Sequence, residues 1–510
     1  MLNKTQFLAG LILCVFFSTS LPVKADGNKG KQVKIHGYIT NVISPKSFEI
    51  DDYKITDDDS VVLDFENQDG TFQFKPEDIR VGTEIEVQGE LDEETNELKA
   101  KKLKIDLEQF RKLKNTTILT RAPEGIEKTE NGWHGVFWAD GRRIRIEPTT
   151  QVLFEPNKSE KKAARNEAKN KEKVEPKTDG DEFSDGEPLK SVSDVKAGMF
   201  AVYEGVEQAD GTILASRIVF TKDELEKGEG NLWKSLKIKE KAPNFTEGNP
   251  GELKINQVGK FKLLPNKEVQ EYVRRVGQSL IPAYQKNLPD GDPQKIPFKF
   301  YVVSEKSPNA FALANGIVVV HSGMITMLEN EAQLAAVMSH EISHATQEHT
   351  WRQMNKDKGK RTAIQIGGIA AAAFGLYGVT DILQLTLAAM VNGYQRSLEN
   401  QADRIGLEYM TAAGYDPREA PRVWKVMSKK HGDAPTNFFW SNHDNNAARR
   451  SFLMVEIRNN YSELDFSQLK KGDENEYEKI IALTKDAAAK KKKIKVKIDG
   501  QTPVNSEKQS

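Results

Sequence analysis

The spacing of apolar and polar positions divides the chain into two β-type regions and a helical one. Over residues 31–105 apolar side chains alternate with polar ones, at Val33, Ile35 and Ile39, then Phe48 and Ile50, then through 61–65. A period of two marks half-buried strands, and Gly37, Gly70, Gly82 and Gly89 punctuate the turns between them. A second alternating region, 117–220, ends almost as the first does. Gly82 corresponds to Gly198 and Gly89 to Gly205, while Leu103-x-Ile105 corresponds to Ile218-x-Phe220 after a gap of one residue. The pattern predicts an internal repeat, two copies of a small closed or nearly closed β-barrel, because closure removes exposed strand edges.

In its glycines and alternation each copy resembles the oligonucleotide/oligosaccharide-binding (OB) type of barrel. The copies are placed at 31–108 and 116–221. Residues 157–188 are Lys, Glu, Ala, Asn and Asp with almost no large apolar side chain, so they cannot bury a core and are read as a disordered charged insert in the second barrel. A polar stretch with Gly, Asn and Pro, 222–254, is read as a linker.

From residue 255 the period becomes helical. Val269, Tyr272, Val273, Val276 and Leu280 predict an amphipathic helix, and 298–303 a strand. Residues 310–313 and 317–320, joined at Asn315-Gly316, predict a hairpin. Asn330-Glu331-Ala332-Gln333 resembles a capping box opening a further helix. Two apolar stretches, 363–377 and 382–391, are interrupted by Gly375, Gly378 and Asp381. They fall short of about 20 unbroken apolar residues, so buried helices are expected and no stable membrane insertion. Residues 255–462 form one mainly α (α+β) domain in this reading, and 463–510 a polar tail, largely disordered and lysine-rich at 490–493.

Composition narrows the function. At 510 residues the chain is too long for one core. Charged residues are 29% with a net charge of -1, and acidic residues crowd 51–59, which argues against a nucleic-acid partner. A lysine, the apolar run 7–17 and Val23-Lys24-Ala25 predict a signal peptide over 1–25, cleaved near Ala25, and hence an exported, periplasmic or extracytoplasmic protein. The sole cysteine, Cys14, lies inside that segment, so the mature chain has no thiol ligand.

The chemistry sits in the helix opened by Asn330. It carries His340-Glu341-Ile342-Ser343-His344, two imidazoles four residues apart on one face and able to share a metal ion. With eight histidines in the chain, a chance His-Glu-x-x-His has a probability on the order of one per cent. Glu341 stands where it can take a proton from water at the metal. A catalytic zinc site needs a third protein ligand. Position 350 is Thr, so a third histidine six residues on is absent. Glu399 and Asp403, four apart on a predicted helix, supply a carboxylate ligand and a hydrogen-bond acceptor for a ligand histidine. His349 lies five residues beyond His344 and off the metal face of a continuous helix, and His321, His36, His134 and His431 have no partner pattern.

These residues together resemble metallopeptidase family 48, zinc endopeptidases related to the CAAX prenyl protease that include soluble periplasmic members. The likeness covers about 255–461. It implies a zincin-type protease domain holding one Zn2+ per chain through His340, His344 and Glu399, with Asp403 behind them. Asn309, Ala310, Phe311 and Ala312, with the Gly-Ile-Val-Val-Val that follows, resemble the family's strand beside the active site, where an extended peptide can pair through its main chain. His443 and Arg449 resemble a late His-Pro segment with a downstream Arg, placed at the cleft to steady the developing oxyanion; Asp444 replaces the proline. The activity implied is hydrolysis of peptide bonds in unfolded or flexible exported polypeptides by metal-activated water, with Glu341 as general base. The alternative is an exported binding or chaperone-like protein that works through its β-barrel repeats and carries a degenerate protease domain. No partner of the repeats is legible.

Overall fold

A computed structural model describes residues 31–155, 186–241, 251–357, 394–431 and 446–498, apart from 45, 59, 71, 76, 77, 223–229, 231, 235 and 256–258. The predicted signal peptide, residues 157–185 of the charged insert, the apolar stretches 363–391 and His443 lie outside the described residues; the end of the insert, Glu187–Pro188, is a short strand.

The first alternating region folds into seven strands: β1 (Lys31–Tyr38), β2 (Asn41–Ser44), β3 (Ser47–Ile50), β4 (Tyr53–Thr56), β5 (Val62–Glu66), β6 (Glu84–Asp92) and β7 (Glu97–Asp106). The second gives eight: β8 (Leu113–Ile118), β9 (Ile126–Thr129), β10 (Gly132–Ala139), β11 (Arg142–Ile146), β12 (Gln151–Glu155), β13 (Glu187–Pro188), β14 (Phe200–Glu207) and β15 (Ile213–Thr221). In the first sheet β6 lies antiparallel to β1 and β7, and β7 takes β4 and β5 in parallel. In the second, β14 lies antiparallel to β8 and β15, and β15 takes β11 and β12 in parallel. The register shifts at Gln88/Gly89 in one and at Glu204/Gly205 in the other. A Cβ at Gly89 would stand 2.1 Å from the carbonyl oxygen of Lys99, and one at Gly205 2.4 Å from that of Leu214. Only glycine fits this close strand crossing.

The strand ladders do not close into barrels among the described residues. Helices of the C-terminal region cover the edges that would have closed. At β1, Tyr38 N donates to Ser451 Oγ at 2.9 Å. At β8, the Gln347 amide pairs with both backbone groups of Ile118, accepting from N at 2.8 Å and donating to O at 3.0 Å. An edge strand needs its peptide groups satisfied, and a docked helix does this as well as another strand does.

The predicted linker carries structure. Ile238–Lys241 (β16) joins Glu252–Ile255 (β17) and Gly259–Lys262 (β18) in a small sheet, and Leu232 and Leu236 are fully buried with Leu253, Ile255 and Val319. Its few apolar residues occupy the core positions, which composition averaged over the segment conceals.

The C-terminal region is helical around a three-stranded sheet. The predicted helix is α1 (Lys267–Leu280), capped by Asn266 and burying Val269, Tyr272, Val273, Val276 and Leu280; a short α2 (Ala283–Asn287) follows. Strand β19 (Lys299–Val303) runs parallel to β21 (Ile317–His321), and the hairpin partner β20 (Ala310–Ala312) forms the sheet edge. Then come α3 (Ser322–Met327), α4 (Glu331–Thr346), α5 (His349–Asp357), α6 (Arg396–Ala412), α7 (Glu419–His431), α8 (Asn446–Tyr461) and α9 (Glu474–Ile498).

Helix α9 corrects the expectation of a largely disordered tail from 463. Tyr477 and Ile480 are buried in the main core, and the Tyr477 hydroxyl donates to Ile325 O at 3.2 Å. Glu474, Glu478, Lys479, Lys485 and Asp486 on the exposed side hide this narrow apolar stripe. Tyr477→Ala is expected to lower stability by about 3 kcal/mol, measured by urea unfolding; an unchanged midpoint would mean the helix does not dock.

Candidate metal centre

Helix α4 starts where Asn330 Oδ1 accepts the amide of Gln333 at 2.9 Å. The reciprocal half of the capping box is displaced, since Gln333 Oε1 accepts from Glu329 N and not from Asn330 N. Every residue of α4 is buried, because α6, α7, α1 and the sheet surround it. It crosses α6 closely at Gly406, where a Cβ would lie 3.1 Å from His340 N. This crossing brings Glu399 and Asp403 against the two histidines.

His340 Nε2 and His344 Nε2 stand 3.0 Å apart, Glu399 Oε2 is 3.4 Å from the first, and Glu399 Oε1 is 3.9 Å from the second. Four ligands at tetrahedral angles and bond lengths of 2.0–2.1 Å would be ~3.3 Å from one another. The three side chains therefore converge near that spacing, each offering a ligand atom within 4.8 Å of the others, and their donor set, two imidazoles and a carboxylate, is one that zinc takes.

Behind them, Asp403 Oδ1 lies 3.0 Å from His340 Nδ1. Arg449, on α8, pairs with Asp403 and reaches Glu399 Oε2 at 3.2 Å, with its guanidinium 4.3 Å from the Trp424 ring centroid. It is therefore a buried partner of the two carboxylates. Burial alone would lower the pKa of His340, but its hydrogen bonds to the accepting carboxylates of Asp403 and Glu399 outweigh it and lift the imidazole to about 9 in the metal-free protein. Burial works the other way at Asp403, yet the charge of Arg449 and the bond to His340 hold its carboxyl below the usual range.

Glu341 is buried beside this group, and its Oε2 accepts the amide of Ala312 at 3.0 Å. Burial, with the neighbouring charge of Glu399, pushes its pKa up to about 7 against the pull of His340. Asn309, Ala310, Phe311 and Ala312 lie at the sheet edge next to Glu341. His321 N donates to Asn309 O and Leu313 N to Ile317 O, so Phe311 shares that bonded parity while the peptide groups of Ala310 and Ala312 face outward. An apolar recess lined by Val337, Leu407, Met410, Val423, Trp424 and Leu453 opens beside His340 and Glu341.

Three neighbours of the site escape a reading of the sequence. His349 Nδ1 lies 2.8 Å from His344 Nδ1, and its Nε2 lies 2.9 Å from Gln401 Oε1. Burial pushes the pKa of His349 down to about 3, so it is neutral. The Tyr394 ring stacks on His344 with centroids 4.1 Å apart. His349 is not in the metal group, and it reaches His344 from the other side because α4 ends at Thr346 and Glu348 takes a positive φ of 53°. No glycine or proline announces that break.

Residues 267–457 match peptidase family M48. The C-terminal region is a peptidase family M48 domain. Residues 36–104 match a domain family of unknown function, DUF5666. Over 179 residues the chain is 31% identical to the Beta-barrel assembly-enhancing protease of Escherichia coli (strain K12), covering 34% of this chain and 35% of that protein. It is 30% identical over 159 residues to the Mitochondrial metalloendopeptidase OMA1 of Arabidopsis thaliana, covering 31% of each. The chain thus spans about a third of the length of these curated relatives. The M48 domain holds His340, Glu341, His344, Glu399, Asp403 and Arg449, all inside the match. Among the described residues no helix is long and apolar enough to cross a membrane.

Proposed function

We propose that the protein is a zinc-dependent endopeptidase that cleaves unfolded or flexible segments of exported polypeptides. One observation carries the reading: two imidazoles and a carboxylate converge at zinc spacing with a buried, elevated-pKa carboxylate and an open strand edge alongside. When bound to His340, His344 and Glu399, zinc would supply Lewis-acid polarisation of the substrate carbonyl and acidify water.

The remaining work falls to side chains of the M48 domain. Glu341 accepts a proton from the attacking water and delivers it to the departing amine, for which a pKa near 7 suits both directions. The outward peptide groups of Ala310 and Ala312 take an extended substrate by main-chain pairing, which a folded segment cannot offer. Ala312 N is held by Glu341 before substrate arrives. The recess along Val337, Leu407 and Trp424 receives an apolar side chain flanking the scissile bond. Asp403 and Arg449 fix the ligands, leaving His443 as our candidate for steadying the oxyanion. We read the two N-terminal sheets as copies of one unit, and residues 1–25 as an export signal.

The test is metal removal. Casein should be cleaved by the purified protein, lose cleavage after dialysis against a chelator, and regain it with stoichiometric zinc. Cleavage that persists once zinc has been stripped, or equal attack on folded and unfolded substrates, would refute the proposal.

A further inference from the structure

The sheet β8–β15 docks on the M48 domain through a buried polar interface that leads to the metal centre. Asp140, in the turn between β10 and β11, is 1% exposed although it carries a charge. Its Oδ2 accepts from Arg404 Nη2 at 2.7 Å and from the Tyr203 hydroxyl at 2.6 Å, and its backbone oxygen accepts from Arg404 Nε at 2.9 Å. Its Oδ1 accepts from Gln401 Nε2, which also donates to Thr116 O at 3.0 Å.

These contacts set the direction of every bond that follows. A carboxylate and a carbonyl can only accept, so Gln401 must turn its amide nitrogen towards Asp140 and Thr116. Its Oε1 then faces α5, where it accepts from Arg352 Nη1 at 2.6 Å and lies 2.9 Å from His349 Nε2. His349 Nε2 must therefore carry the proton, which leaves its Nδ1 an acceptor. His344 Nδ1, 2.8 Å away, must then be the protonated nitrogen of its ring. The lone pair of His344 is left on Nε2, which faces His340 and Glu399. A neutral imidazole with its lone pair on the nitrogen that faces the other ligands is the form that binds a metal.

The geometry points to Asp140 and Tyr203, in the second N-terminal β unit, as positioning residues that fix the tautomer and orientation of the metal ligand His344 through Gln401 and His349. The inference rests on His340, His344 and Glu399 forming a zinc site. Neither Asp140 nor Tyr203 lies within residues 267–457 or 36–104, so part of the metal centre is specified by a stretch outside both family matches. The β unit is in this sense an integral wall of the site.

The test compares Asp140→Asn, Gln401→Leu and Tyr203→Phe in the full-length protein with Arg121→Ala. Arg121 pairs with Glu408 across the same interface at 2.7 Å but touches no residue of the relay. Zinc affinity is measured by competition with a chromophoric chelator, the visible spectrum is recorded with Co2+ in place of zinc, and melting of the metal-free protein monitors folding. Asp140→Asn and Gln401→Leu should weaken zinc binding by about 10- to 100-fold and shift the cobalt bands. Tyr203→Phe, which removes one hydroxyl from Asp140, should do so by a few-fold, on the order of a single lost hydrogen bond. Arg121→Ala should change melting at most.

Wild-type zinc affinity and an unaltered cobalt spectrum in Gln401→Leu and Tyr203→Phe would overturn the inference, whatever happens to the folding of Asp140→Asn. An equal loss of affinity in Arg121→Ala would also overturn it, since any damage to the interface would then suffice. Absence of stoichiometric zinc in the wild type is a separate result that removes the zinc site itself, and the inference with it.

Discussion

Glu341→Gln is expected to reduce casein hydrolysis about a thousandfold while leaving the zinc content at the wild-type level, within the range by which a positioned general acid or base accelerates proton transfer. The substitution is close to isosteric, and a glutamine oxygen can still accept the amide of Ala312, which now bonds to Glu341 Oε2. The strand edge and the ligand geometry should therefore survive. What disappears is the group that takes up and returns a proton near neutral pH, since burial places the Glu341 pKa at about 7 and an amide does not titrate in that range. The measurement pairs steady-state cleavage with metal analysis of the same sample. A variant that cleaves as well as the wild type would remove Glu341 from the mechanism, whereas one that loses its zinc would make it a structural residue.

Arg449→Ala should destabilise the metal-free protein by about 3–5 kcal/mol, the usual cost of stranding one side of a buried ion pair. Arg449, Glu399 and Asp403 are each no more than 5% exposed, so water cannot replace the guanidinium when it is removed. The sign of the zinc effect is informative. Two carboxylates without their cation gain more from a divalent ion than two that are already paired, so zinc should raise the melting temperature of the variant further than that of the wild type. Calorimetry with and without chelator reads both quantities. Equal melting of variant and wild type in chelator would show that Arg449 does not hold the carboxylates. The positively charged imidazole of His340 beside Asp403 offsets part of the loss in the metal-free state.

The candidate metal group was legible because it is written in helical spacing. His340 and His344, like Glu399 and Asp403, are four residues apart, and that interval alone puts each pair on one face of a helix. The hairpin at Asn315-Gly316 and the strands of the N-terminal half were legible for a similar reason, since alternation and turn residues are local properties. The matching positions of Gly89 and Gly205 signalled a shared strand crossing, because no side chain fits there.

Tertiary structure decided what depends on segments meeting across long distances in the chain. No spacing indicates that the edge of β8 is filled by the side chain of Gln347, or that α8 covers β1, so an expectation of closed barrels was the natural reading of strands that need their edges satisfied. Arg449 sits 46 residues beyond Asp403, and only the packing of α8 against α6 shows it holding the carboxylates. His349 was set aside as a ligand, and only the break at Glu348, with its positive φ, shows it backing His344 instead. Sequence by itself determined which candidate residues share a helix face, because residue type and local period are properties of a few neighbours. The fold alone determined which buried partners orient them, because a hydrogen bond between Asp140 and Gln401 exists only when two distant parts of the chain exclude water together.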